Sequence, residues 1–100
     1  MNKPKNTMKV SFPSRGANEG LARMLIAAFV TEADPTVEEL CDIKTAVSEA
    51  VTNCIVHAYP DRIGEIYIAA ALSENNLLTV KVRDHGCGIA DVEQAMEPLY

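Results

Sequence analysis

The segment DPTVEELCDIKTAVSEAVTNCIVHAYP, residues 34 to 60, decides the fold because it contains the longest run of helical spacing in the chain. Thr36 is followed three residues later by Glu39. This is the capping-box arrangement, in which each side chain bonds a backbone N–H group at the start of a helix. Pro60 stops a helix because it has no N–H group and its ring clashes with the preceding turn. The segment therefore predicts a helix from about Val37 to Ala58.

Other periodic segments on both sides predict one more complete helix, three strands and the beginning of a third helix. The residues of the SENN segment between the last two strands tolerate tight turns, so these strands form a hairpin. The first strand lies just before Pro13 and is predicted to be an edge strand. The predicted strands are Met8–Phe12, Glu65–Leu72 and Leu77–Arg83, and the predicted helices are Asn18–Val30 and one beginning over Asp91–Met96.

The composition is typical of one small soluble domain. The chain has 100 residues, of which 48% are hydrophobic and 23% charged, and it has no apolar run of the length that a membrane span needs. A net charge of −5 argues against nucleic acid as a partner, because nucleic-acid binders usually carry a basic surface. Three cysteines at irregular spacing and an N-terminus without the apolar core of a signal peptide predict a cytoplasmic protein without disulfides.

A polar row follows the second half of the long helix, with Glu49, Asn53 and His57 four residues apart. One interpretation is a solvated face, since amphipathic helices have polar sides. The other is a binding site, because Ala46 and Val56 project into the same arc, where a solvated helix usually carries Lys, Glu or Gln. Glu49 has the chemistry to accept a hydroxyl proton, and the amide oxygen of Asn53 is a hard ligand for Mg²⁺.

A second group of candidate residues is Asp84, Gly86 and Gly88 in RDHGCGI, directly after the last predicted strand. One interpretation is a simple turn, because glycine allows unusual backbone angles and aspartate favours turns. The other is a base-binding site, in which Asp84 accepts a hydrogen bond from an exocyclic amine and the glycines let the backbone approach a flat ring. The hairpin returns the chain toward the long helix, so both groups are predicted to border one cleft.

The order Glu49-x-x-x-Asn53, hairpin, Asp84-x-Gly86-x-Gly88 resembles the first two nucleotide-binding boxes of the ATPase superfamily that includes gyrase, heat-shock chaperones and histidine kinases. The quoted segment further resembles the anti-sigma F factors of spore-forming bacteria, over essentially all 100 residues. General-stress anti-sigma B kinases share VSEAVTN and are the nearest alternative. The resemblance implies an α+β fold, a two-layer α/β sandwich with helices on a mainly antiparallel sheet.

Members of this family continue into a lid over the phosphates and a second glycine-rich box. Neither appears in the sequence before Tyr100. Residues 1–100 are therefore expected to be the N-terminal part of a single ATP-binding kinase domain, with the C-terminal part missing.

The resemblance also implies a role for each candidate residue. Glu49 corresponds to the catalytic base that deprotonates a serine hydroxyl of the antagonist protein. Asn53 corresponds to the residue that holds Mg²⁺ against the ATP phosphates. Asp84 corresponds to the residue that binds the adenine amino group, and Gly86 and Gly88 shape the adenine pocket. The implied cofactors are ATP and Mg²⁺.

The implied partners are a sigma factor, with the sporulation sigma F as first choice, and an anti-anti-sigma protein that is the kinase substrate. A homodimer is implied as well. Arg23 on the first helix stands where the family contacts its protein partners, although a solvated helical charge is the alternative interpretation of this residue. His57 receives no chemical role.

Two alternatives belong to other classes of protein. A small metal-binding module would use Cys54, His57, His85 and Cys87 as zinc ligands. A non-catalytic module would only hold a sigma factor, and replacing Glu49 would then leave its activity intact.

Overall fold

The protein folds as two helices packed on one face of an antiparallel sheet. The computed structural model describes residues 4–84 and, for residues 89–95, the course of the backbone. This part of the chain contains four strands in the order β1-β2-β3-β4. The predicted α+β two-layer sandwich is therefore confirmed. The elements are β1 (Pro4–Pro13), α1 (Ala17–Val30), a 3₁₀ turn (Thr31–Ala33), α2 (Val37–Asn53), a π-helical turn (Cys54–Ala58), β2 (Glu65–Ser73), β3 (Leu77–Arg83) and β4 (Ile89–Ala95).

The sheet buries one face against the helices and leaves the other face open. Alternate residues of β2, from Ile66 to Leu72, are buried, as expected for a strand with one covered face. Strand β1 pairs with β2 alone and lies at the edge of the sheet, which confirms the edge-strand prediction. It is longer than predicted because its polar first half also pairs with β2, where Thr7 lies opposite Ala71.

The prediction that a helix begins over Asp91–Met96 is wrong. Residues 89–95 form strand β4, which pairs with β3 from Arg83 opposite Ile89 to Leu77 opposite Ala95. A strand edge carries unpaired N–H and C=O groups, and pairing along β3 satisfies them. A few residues of helical pattern are too short to form a stable helix by themselves, so the sheet pairing prevails. Met96 lies outside the described residues.

The core lies between the two layers. Helix α1 contributes Ala22, Ile26 and Val30, and α2 contributes Ile43, Val47 and Val51, all at most 1% exposed. Their spacing of four residues places each set on one side of its helix. This packing fixes the rotation of α2, and with it the direction in which the polar row points. No helix in the described part of the chain is long and apolar enough to span a lipid bilayer.

Helix α2 begins and ends close to the predicted residues. The Thr36 hydroxyl oxygen accepts from the backbone N–H of Glu39 at 3.0 Å, and the backbone N–H of Thr36 donates to Glu39 Oε1 at 2.8 Å. The predicted capping box is therefore present. At the other end the helical conformation reaches Ala58, but its last turn is π-helical: the N–H of Tyr59 donates to the carbonyl of Cys54 at 3.1 Å.

The loop after this turn depends on a close contact between Tyr59 and Gly64. The buried Tyr59 hydroxyl donates to the carbonyl of Glu65 at 2.9 Å, and the ring lies against Gly64, where a Cβ atom would overlap it. The N–H of Gly64 also donates to Ser14 Oγ at 2.9 Å, so Gly64 has little freedom to move away.

We expect Gly64→Ala to lower the free energy of unfolding by about 2 kcal/mol, because the added methyl group overpacks a closed site. Urea denaturation of the full-length protein measures this change. Gly16→Ala is the matched control, since a Cβ atom there meets nothing within 4 Å. The control is expected to change the free energy of unfolding by at most about 1 kcal/mol, in the stabilising direction. Equal destabilisation by both substitutions would contradict the argument.

Candidate functional site

Glu49 and Asn53 lie on the exposed side of the last two turns of α2. Both side chains are exposed, whereas Val47, Ala50 and Val51 of the same turns are buried in the core. Residues four apart on a helix are neighbours on its surface. The structure therefore presents a carboxylate and a carboxamide side by side, at a helix end that the core holds in place.

The π-helical turn begins directly after Asn53. Such turns are rare, are mostly single turns within α-helices and are frequent at functional sites. Each residue of a π turn advances by a smaller angle than in an α-helix, which displaces His57 from the straight continuation of the polar row. His57 is exposed, and so is Val56, with 52% of its surface accessible. The side of the helix that carries Val56 beside the polar row, which is unusually apolar for a solvated helix, is thus accessible to a ligand.

Asp84 lies directly after β3 and reaches the same end of α2. The thiol of Cys54 donates a hydrogen bond to Asp84 Oδ2, with the sulfur and oxygen 3.3 Å apart. Asp84 is partly buried and Cys54 is only 4% exposed. The hairpin therefore brings the Asp84 carboxylate next to the residue that follows Asn53. A cleft shared by both groups of candidate residues stays a prediction.

The glycines of this segment, Gly86 and Gly88, lie outside the described residues, and their role in an adenine pocket stays a prediction. His85 and Cys87, which the zinc alternative requires, also lie outside them. Within the described residues, no cluster of three or more His, Cys, Asp or Glu is arranged to hold a metal ion.

Arg23 lies on the exposed side of α1 and forms an ion pair with Glu19, one turn earlier. Glu19 also accepts a hydrogen bond from Ser48 Oγ at 2.7 Å. This hydrogen bond, together with the charge of Arg23, holds the pKa of Glu19 below its usual value. Ser48 immediately precedes Glu49, so a polar chain of contacts connects Arg23 to the segment of α2 that carries the candidate base.

An apolar stripe flanks Arg23 on the outside of α1. Leu21 is 44% exposed and Met24 is 74% exposed, and Ala17 and Ala28 continue the stripe at helical spacing with exposed side chains. Exposed apolar side chains next to an arginine are typical of protein-binding surfaces.

The family model described as the histidine kinase-like ATPase domain matches residues 12–99 of this chain. The chain belongs to this ATPase family. The match includes α1, α2 and all of the candidate residues. Family membership confirms the resemblance that the two boxes indicated and implies ATP as the ligand.

Individual members of the histidine kinase-like ATPase family are closely similar to this chain. The protein named Anti-sigma F factor of Caldanaerobacter subterraneus subsp. tengcongensis is 55% identical over 95 residues, which are 95% of this chain and 66% of that protein. The proteins of the same name from Thermoanaerobacter sp. strain X514 and Clostridium novyi strain NT are 54% and 52% identical, with the same coverage of each chain. The chain thus spans slightly less than two thirds of the length of these curated relatives.

The side chains of this ATPase domain fit Mg-ATP in their chemistry. The amide oxygen of Asn53 is a hard donor of the kind that Mg²⁺ prefers, and Mg²⁺ usually binds through few protein ligands because it retains several waters and the phosphates. The carboxylate of Asp84 is an acceptor suited to an amino group. Glu49 provides a carboxylate one turn before the metal-binding candidate. The sequence did not predict the hydrogen bond from Cys54 to Asp84, because helical spacing only places Cys54 in the core.

A shallow depression on the open face of the sheet shares Asp84 with this site but lies away from Glu49 and Asn53. Its lining includes Lys9, Tyr67, Lys81, Arg83 and Asp84. Lys9 and Lys81 are both register partners of Ala69, which places the two cations on either side of a small residue. Glu49 and Asn53 lie on α2, on the opposite side of the sheet, so this depression is not the predicted nucleotide site.

Proposed function

We propose that the full-length protein is an anti-sigma factor that binds and inhibits a sporulation sigma factor. We further propose that, with Mg-ATP, it phosphorylates a serine of its anti-anti-sigma antagonist. The observation that carries the proposal is the contact between Cys54 and Asp84, which joins the two candidate halves of a nucleotide site at one end of α2. The 55% identity to a protein named Anti-sigma F factor supports the choice of partners.

Three side chains divide the work of phosphate transfer. Asn53 would hold Mg²⁺ through its amide oxygen, and Asp84 would accept a hydrogen bond from the adenine amino group. Glu49 accepts the proton of the attacking serine hydroxyl. Bound Mg-ATP would supply the phosphoryl group: the serine oxygen bonds to the γ-phosphorus, the bond from that phosphorus to the bridging oxygen breaks, and ADP leaves. Catalysis of this kind consists mainly of positioning and charge stabilisation, and an acidic protein carries it out when Mg²⁺ offsets the phosphate charge.

Arg23 and the apolar stripe on α1 form the proposed partner surface. The stripe consists of Ala17, Leu21, Met24 and Ala28, and all four side chains are exposed. Arginine and methionine are enriched in protein interfaces, whereas most other charged residues are depleted there. The proposal also includes a cytoplasmic location and a homodimer. Sedimentation of the full-length protein tests the homodimer.

The function is tested by incubating the full-length protein with γ-labelled ATP and the anti-anti-sigma protein. We expect the label to appear on a serine of that protein and to require Mg²⁺. A parallel experiment measures retention of the sigma factor on the immobilised protein. Retention without label transfer would favour the non-catalytic alternative. Retention of a general-stress sigma factor in place of the sporulation sigma factor would favour the anti-sigma B alternative.

We expect Arg23→Ala to weaken sigma-factor binding by about tenfold to a hundredfold, because arginine in a buried interface contributes about 1.5–3 kcal/mol through charge-assisted hydrogen bonds. Titration calorimetry with the purified sigma factor measures the change. Lys9→Ala is the control, since Lys9 is an exposed cation on the open face of the sheet, away from α1. If the Arg23 variant and the unaltered protein bind the sigma factor with equal affinity, Arg23 is only a solvated charge.

A further inference from the structure

Cys54 is a buried side chain that the proposed reaction does not use directly. It is the first residue of the π-helical turn, and only 4% of its surface is accessible. Its backbone is held on both sides. The N–H group of Cys54 donates to the carbonyls of Ala50 and Val51, and its own carbonyl accepts from the N–H of Tyr59. The position of the sulfur atom is therefore fixed by the end of α2.

The thiol of Cys54 points at the carboxylate of Asp84, which is the candidate for binding adenine. The Cys54 sulfur lies 3.3 Å from Asp84 Oδ2 across 30 positions of sequence. An ionised carboxylate only accepts hydrogen bonds, so the thiol is the donor. A thiol is a weak donor, but a hydrogen bond is electrostatically stronger in a buried site than in water. A donor at one oxygen restricts rotation of the carboxylate and thereby fixes the direction of the other oxygen.

We propose that Cys54 is a positioning residue that orients the Asp84 carboxylate toward the amino group of adenine. Selection of ATP over purine nucleotides without this amino group then depends on the Cys54 thiol. The inference rests on the proposed binding of ATP through Asp84. It assigns to Cys54 a specificity role, in addition to its place in the core.

The test compares Cys54→Ala with Cys54→Ser in the full-length protein. Alanine and serine have nearly the same volume, but only serine donates a hydrogen bond. Binding is measured for two ligands, ATP and purine riboside triphosphate, which lacks the amino group at position 6. Cys41→Ala is the matched control, because Cys41 is an exposed cysteine of α2, the helix that leads into the turn of Cys54.

We expect Cys54→Ala to weaken ATP binding by about threefold to tenfold, the range of one modest hydrogen bond. Binding of purine riboside triphosphate should stay the same, because that ligand offers no amino group to Asp84. Cys54→Ser should bind ATP like the unaltered protein, and Cys41→Ala should affect neither ligand. If Cys54→Ala loses the same affinity for both ligands, or none for either, the inference is overturned. A purely structural role of Cys54 does not distinguish ATP from purine riboside triphosphate.

A second measurement leaves Cys54 in place and so does not depend on the stability of its variants. In a full-length protein in which every other cysteine, including Cys41 and Cys87, is replaced by alanine, the S–H stretching band of Cys54 is read by infrared spectroscopy. Asp84→Asn should shift this band, because an amide is a weaker acceptor than a carboxylate. An unshifted band would contradict the hydrogen bond on which the inference depends.

The outcomes separate this inference from the proposed function. If the unaltered protein binds ATP, Asp84→Asn loses that binding and Cys54→Ala does not, the proposed nucleotide site stands and the role of Cys54 is refuted. If the unaltered protein does not bind ATP at all, the proposed function itself fails.

Discussion

Replacement of Asn53 by alanine is expected to abolish measurable Mg-ATP binding by the full-length protein, with a dissociation constant raised by about a hundredfold or more. The substitution removes the amide oxygen proposed to hold Mg²⁺, and a hydrogen bond or ligand to a charged group contributes up to about 3 kcal/mol. Asn53 is exposed, and surface substitutions usually change the free energy of unfolding by less than about 0.5 kcal/mol. We therefore expect the Asn53 variant to stay folded.

Titration calorimetry with and without Mg²⁺ measures this effect. Any weak binding that the Asn53 variant retains should be the same in both conditions, because the variant no longer uses the metal. Thr52→Ala is the control, since Thr52 is the exposed neighbour of Asn53 on α2 and has no assigned role. Tight, Mg²⁺-dependent ATP binding by the Asn53 variant would show that Asn53 is not the Mg²⁺ ligand.

Glu49→Ala is expected to spare nucleotide binding and to lower the rate of phosphate transfer by about a thousandfold. General-base catalysis contributes about 10²- to 10⁴-fold to a reaction rate, and the substitution removes the carboxylate that accepts the serine proton. Single-turnover transfer from γ-labelled ATP to the anti-anti-sigma protein measures the rate, and calorimetry measures ATP affinity separately.

Asp42→Ala is the matched control for Glu49, because it removes another exposed carboxylate from α2. This control should transfer phosphate at the rate of the unaltered protein. If the Glu49 variant transfers phosphate at the rate of the unaltered protein, Glu49 is not the base. An unaltered rate combined with sigma-factor binding in both variants would point to another residue for the proton transfer.

The sequence predicts best those elements whose limits are set by local chemistry. Thr36 and Glu39 define the start of α2 because the capping box is made within four residues. The β2–β3 hairpin is equally local: Asn76 adopts the positive φ of 61° that asparagine tolerates at a turn. These two features suffice to place the polar row and Asp84 on neighbouring elements.

The sequence predicts poorly what depends on pairing between distant segments. Strand β4 forms along the edge of β3, although its own residues carry a short helical pattern. The hydrogen bond from Cys54 to Asp84 joins residues 30 positions apart, and the bond from Ser48 to Glu19 joins residues 29 apart. Helical periodicity places Cys54 in the core correctly, but it does not reveal which carboxylate the hairpin returns to the thiol.

The pairing of β1 with β2 has a consequence for how the chain folds. Pro13 lies opposite Glu65, so this pairing closes a loop that contains both helices. Closing a long loop has an entropic cost that must be met before its contacts form, and such non-local pairing slows folding. The β2–β3 hairpin, whose turn is local, closes with a smaller entropic cost, and we expect it to form before this pairing. During synthesis on the ribosome, the N-terminal strand therefore takes its place at the sheet edge only after both helices and β2 have emerged.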